Sequence, residues 1–208
     1  LQENVIDEVN RFKDFLDLRA ESIRKRVDEL NSQLHKVDFD RREGQETYIR
    51  LVPLPAVDEA VRQFRADLTN ALKNILSIDD SLETREQCYH MVNALIERLD
   101  QAPTTRDRVI DVRNWFEFKA EEHFRVGDKI KEIYRGAASK SGGEKSRLAS
   151  TVLATAVAYQ YGIEVDRPDA STFRFVLIDE ALARIGDSFS EYLFEVFARF
   201  HLQLLIIN

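Results

Sequence analysis

The sequence predicts an α/β chain, and three observations predict it. Between Lys140 and Gly162 a pair of glycines opens an apolar run in which Leu148, Val152, Thr155/Ala156 and Tyr159 recur every three or four residues, the period of one helix face. From Phe173 to Glu180 the chain is nearly all apolar and stops at two carboxylates, the pattern of a buried strand whose tip emerges at the carboxyl edge of a sheet. Beyond it, Phe189, Leu193, Phe194, Val196, Phe197 and Phe200 mark another helix and Leu202 to Ile207 another strand, which makes a right-handed crossover unit.

The earlier elements follow in order. Residues 1 to 36 are highly charged, with Val5, Val9, Phe12, Leu16, Ile23, Val27, Leu30 and Leu34 at mainly three- and four-residue spacing and Arg19 on the seam. This reads as the end of a coiled-coil arm, with an amphipathic surface helix as the alternative. From Glu46 to Val52, Thr47, Ile49 and Leu51 alternate with Tyr48, Arg50 and Val52, which predicts a strand ended by Pro53 and Pro55. Asp58 and Glu59 then open a helix buried through Val57, Val61, Phe64, Leu68, Leu72 and Ile75. A loop at Ser77 to Ser81 precedes a second helix carrying Cys88, Met91/Val92, Leu95 and Leu99, for which Thr84 and Gln87 could form a capping box. Pro103 to Thr105 break it, and a short helix is expected over Arg106 to Arg113. Phe116, Phe118 and Ala120 alternate with Glu117, Lys119 and Glu121 in a half-buried strand that Gly127 and Asp128 turn back into Lys129 to Tyr134.

Composition limits the function classes. With 208 residues, 44% of them hydrophobic, the chain can bury one sizeable core or two small ones. A net charge of -7 excludes a polycation, so any nucleic-acid contact must be a local patch. The single cysteine, Cys88, excludes an internal disulfide and sits where a packing residue is expected. No run of about 18 apolar residues is present, so no membrane contact is expected and the location should be cytoplasmic. His123 has no second histidine or cysteine at ligand spacing, which argues against a histidine-based metal site.

The candidate chemistry gathers at the two ends of the 140–180 stretch. Gly142 and Gly143 let backbone N–H groups approach an anion at a helix N-terminus, and the Ser141 hydroxyl adds a donor. The bland alternative for Ser141 is a helix N-cap. At the strand tip, Asp179 could hold Mg²⁺ through water, since the ion keeps its hydration, and Glu180 could orient an attacking water as general base. Arg65 and Arg85 could meet phosphates but read more simply as solvated helix residues. Trp115 could stack on a ring but reads more simply as a core anchor.

Lys140-Ser141-Gly142-Gly143-Glu144-Lys145, followed about one helix later by the strand ending Asp179-Glu180, resembles the signature and Walker B motifs of ABC-type ATPase heads in the SMC-like superfamily. Asp111 to Phe116, Tyr159 to Gly162, Leu204 to Ile207, Thr47 to Leu51 and Phe64 to Leu68 are similar to the MukB/MksB-like branch, including the JetC ATPases of Wadjet plasmid-defence systems. The resemblance covers most of residues 30 to 208. It implies an α/β C-terminal lobe of an ABC-type (SMC-like) ATPase head with a helical subdomain and a coiled-coil arm stub. Residues 1–36 would be the end of the arm and 37–208 the lobe, with 56–113 mainly helical and 114–208 carrying hairpin, signature helix, Walker B strand, D-loop and last strand.

It also implies ATP and Mg²⁺ as cofactors. Ser141, Gly142, Gly143 and Glu144 would meet ATP held by the opposite head, Asp179 the metal, Glu180 the attacking water and, weakly, Asp187 the D-loop contact, since Gly186 stands where the family often has an acid. Asn208 stands at the start of the switch that follows the last strand. The implied partners are a second head in a homodimer, a kleisin-like subunit, double-stranded DNA and a nuclease subunit, with the protein associated with nucleoid or plasmid DNA. The sequence contains no Gly-x-x-x-x-Gly-Lys-Ser/Thr phosphate cradle. The expectation is therefore that an N-terminal Walker A half lies elsewhere in the same polypeptide and that these residues alone do not hydrolyse ATP. Within the same chemistry the alternatives to a plasmid-defence ATPase that entraps DNA are a chromosome-condensing MukB/MksB-type ATPase and an SbcC-type nuclease ATPase. A non-catalytic coiled-coil scaffold, with Ser-Gly-Gly as a helix cap only, is the alternative from a different class.

Overall fold

The computed structural model describes residues 2–42, 44–73, 82–135, 142–163, 174–179 and 187–207, which divide into two compact units. The first comprises residues 1–25 and 53–117, the second residues 26–52 and 118–208. No helix among the described residues is long and apolar enough to cross a membrane.

The first unit is helical. Its core joins Leu16 and Ala20 of α1 (Gln2–Leu34) to Val61, Phe64, Leu68 and Leu72 of α2 (Glu59–Lys73) and Val92 and Leu95 of α3 (Leu82–Gln101). Val61, Phe64, Leu68 and Leu72 of α2 and Cys88, Val92 and Leu95 of α3 are buried as their periodicity marked, whereas Val57 precedes α2 and is exposed, Met91 is exposed, and Ile75 lies outside the described residues. Asp58 caps α2, its Oδ1 accepting from the backbone N–H groups of Ala60 and Val61 at 2.9 and 3.2 Å. Cys88 is fully buried, and burial pushes its thiol up. Thr84, expected at the N-cap, lies inside α3, which already runs from Leu82. The short helix also begins earlier than expected. Pro103 takes its first turn, where a missing N–H costs nothing, and α4 runs Pro103–Ile110 before a 3-10 turn at Val112–Trp115. Trp115 closes this core as an anchor. It is 2% exposed and donates its indole N–H to the Val109 carbonyl at 2.8 Å, while the Arg65 guanidinium lies 4.5 Å from its ring centre. Arg65 is thus a stacking partner of Trp115, not a free cation.

The other core elements lie in the second unit, in two sheets. One sheet has the order β1-β2-β3, with β1 at Thr47–Pro55, β2 at Phe116–Phe124 and β3 at Ile130–Arg135. β1 runs through both prolines instead of ending at Pro53. It is an edge strand, so a residue without an N–H is tolerated there. β2 and β3 pair antiparallel, with Ala120 opposite Tyr134 and a bulge between Glu122 and His123. Gly127 and Asp128 turn the hairpin with φ of 81° and 50°, which Asp tolerates better than most side chains. The half-buried alternation expected of β2 fails: Phe118 is exposed, whereas Glu121, Glu122 and His123 are buried.

The second sheet pairs β4 (Phe175–Asp179) in parallel with β5 (Gln203–Ile207), Phe175 opposite Gln203 and Asp179 opposite Ile207. The connection carries α6 (Asp187–Arg199), as the crossover pattern predicts. Val176, Ile178 and Leu204 pack on a core made of Ala154 and Ala158 of α5 (Gly142–Gln160) and Leu193, Val196 and Phe197 of α6. Phe175, Leu177, Leu205 and Ile207 on the alternate positions are exposed.

Candidate functional site

The site is built from two element ends in the second unit. α5 begins at Gly142, so the glycine pair opens the helix as the sequence predicts. Gly143 is exposed, and nothing among the described residues lies within 4 Å of where a Cβ would sit on it. The backbone N–H groups and dipole of the first turn of α5 favour an anion.

The far end of α5 is held as firmly as its start is open. Gly162 has φ of 65°, its N–H donates to the Tyr159 carbonyl at 3.0 Å, and the Ile163 N–H donates to the Ala158 carbonyl at 2.8 Å. Along the helix, Ser150, Thr151 and Thr155 return their hydroxyls to carbonyls four residues earlier, so three buried polar side chains are satisfied without leaving the helix. Glu144 is exposed on the first turn and lies within electrostatic reach of Tyr134 of β3, whose hydroxyl is pushed well above the ordinary phenol range by burial, by Glu122 and, less, by Glu144.

Asp179 is the last residue of β4, at the carboxyl end of both parallel strands. This is the edge where ligands of parallel sheets sit, and a carboxylate there suits a hydrated Mg²⁺ by the chemistry of its oxygen donors. Asp187 is the first residue of α6. Ser141, Glu180, Gly186 and Asn208 lie outside the described residues. Among the described residues no group of three or more His, Cys, Asp or Glu is placed to hold a metal. Arg85 is exposed on α3, in the other unit.

Residues 107–199 match the family described as SbcC/RAD50-like, Walker B motif. The match supports an SMC-like ABC ATPase region. It begins in α4, spans the hairpin, the glycine pair, α5 and the strand ending at Asp179, and closes with α6. A Walker B segment belongs to ATPases that use nucleotide and Mg²⁺, the chemistry the acidic tip of β4 suits. The comparison with curated proteins gave no match.

Two features of the unit escaped the reading of the sequence. One is the buried polar cluster around Glu122. The other is Arg147, four residues after Gly143 in α5, which the helical periodicity did not mark.

Proposed function

We propose that the chain supplies the C-terminal half of an SMC-like ATPase head that dimerises around ATP and hydrolyses it to drive DNA entrapment or loop extrusion. The observation that carries this reading is the pairing of an open, glycine-started α5 with a parallel strand ending at Asp179 inside the segment that matches the Walker B family. Ser141, Gly142, Gly143 and Glu144 of one head would contact ATP held by the other. Asp179 would hold Mg²⁺ on its own head, Glu180 would position and deprotonate the attacking water, and Asp187 would serve the D-loop. The bound ion supplies charge neutralisation at the transferring phosphate. The Walker A half of the same polypeptide would complete each head, and the exposed outer face of β4 and β5 supports further chain packing there, since parallel sheets are covered on both faces.

The residues similar to MukB/MksB-like ATPases support a Wadjet-like role in plasmid defence, with a kleisin-like subunit, double-stranded DNA and a nuclease subunit as partners. In that arrangement α1 would be the end of the arm. The exposed Phe12, Phe15 and Leu18 support a partner helix along it. The match to the SbcC/RAD50-like family favours a second reading, an ATPase coupled to a DNA-repair nuclease. Loss of the gene should raise plasmid retention under the first reading and sensitise cells to DNA breaks under the second.

Ser141→Arg in the full-length protein tests the signature role. If Ser141 serves only as an N-cap, the substitution costs about 0.5 to 2 kcal/mol of stability and little else. Under the proposed function ATP still binds each separate head, but ATP-dependent dimerisation and hydrolysis fail. ATP-induced dimers of Ser141→Arg heads as stable as the parent's in sedimentation would refute the signature role.

A further inference from the structure

The second unit contains a cleft of about 300 Å³ lined by the 38–42 segment, Arg147 of α5 and Tyr192 and Glu195 of α6. Its carboxylates are already engaged. Asp38 accepts from Arg125 at 2.5 Å and from Arg199 at 3.4 Å, and lies 4.0 Å from Arg41. Asp40 accepts from Arg42 at 2.5 Å and from Lys131 at 3.1 Å, and Glu195 pairs with Arg41. Three carboxylates and three arginines line the cleft, so its lining carries no net charge, while Arg125, Arg199 and Lys131 reach its aspartates from outside the lining.

The cation without an acid is Arg147. Among the described residues it has no carboxylate partner: its guanidinium lies over the rings of Phe39 and Tyr192, 5.0 and 4.6 Å from their centres, and donates to the Phe39 carbonyl. Its Nε is buried with no hydrogen-bond partner. Contact with the two rings stabilises the charge without neutralising it. A half-buried charge in that condition is costly, and an oxyanion entering the cleft offsets the cost. Arg41 and Arg42, with side chains 42% and 69% exposed, stand at the same cleft and can turn toward such a ligand.

We propose that this cleft binds a phosphate group, supplied by a nucleic-acid backbone or by a free polyphosphate. The inference does not depend on the roles given above to Ser141, Asp179 and Glu180. It meets the requirement set by the overall negative charge, that a nucleic-acid contact be local.

The test uses the full-length protein without nucleotide, a fluorescent 16-base-pair duplex of unrelated sequence and pyrophosphate as probes. Arg147→Gln should weaken binding about tenfold. Arg42→Gln should lower the slope of log affinity against log salt by about one. Arg11→Gln on α1 should change neither, and melting temperatures show that the variants remain folded. Duplex binding lost in the cleft variants identifies a nucleic-acid backbone; pyrophosphate binding lost in them without duplex binding identifies a free polyphosphate. Binding of neither probe, or binding that both cleft variants leave unchanged, overturns the proposal.

Discussion

Glu122 is buried in the core of the hairpin unit, 2% exposed, yet it carries a charge. Three donors make this possible: Thr47, Lys131 and Tyr134 each reach its carboxylate at 2.8 Å. Burial alone would push the carboxyl up, but these bonds together hold it below the usual range. Glu122→Ala should therefore cost about 3 kcal/mol in urea unfolding, because Lys131 and Thr47 lose their partner inside the fold. Asp40, lowered chiefly by its bond to Arg42, and Glu121, lowered chiefly by Lys119, behave alike. Each has a folded value below its unfolded one, so the stability they contribute is present above about pH 4 to 5 and is lost as pH falls through the folded values. The gap in melting temperature between the parent and Glu122→Gln should accordingly narrow from pH 6 to pH 3; a constant gap would contradict a charged Glu122. Alternation along β2 could not reveal this cluster. Thr47 comes from a strand 75 residues away, and only the folded chain brings it to Glu122.

Helix ends show which local signals survive folding. Gly162 was legible as a stop because only glycine takes a positive φ freely, and the motif it completes binds two carbonyls of α5. α6 ends in the same way without a glycine: His201 has φ of 53°, its N–H donates to Ala198, and the Leu202 N–H donates to Phe197. Nothing in the sequence marks this stop, since histidine is not a usual residue there. His201→Gly should stabilise the fold by about 0.5 to 1 kcal/mol by removing the strain, and Gly162→Ala should destabilise it by about 1 kcal/mol or more. Thermal unfolding checks both, and equal melting temperatures for the pair would contradict the backbone argument. The prolines of β1 teach the converse. They are strand breakers in a central strand, and the sequence does not say which strand lies at an edge.

At the scale of the molecule, helical periodicity located α2, α3, α5 and α6, alternation located β1 and β2, and short apolar runs located β4 and β5, because burial sets these patterns. The sequence set residues 56–113 apart as mainly helical, but which distant segments share a core, residues 53–117 with 1–25 and 26–52 with 118–208, emerges only in the folded chain. Of the candidate site, the helix opened by Gly142 and the strand closed by Asp179 stand where periodicity placed them. Under the proposed function their catalytic use depends on Glu180, which motif order alone singles out. Steady-state ATP hydrolysis by the full-length protein and its Glu180→Gln variant tests the central claim most directly. The account predicts Mg²⁺-dependent turnover that falls roughly 10²-fold to 10⁴-fold in the variant while nucleotide binding is retained, the usual worth of a positioned base. Equal turnover by parent and variant would contradict it.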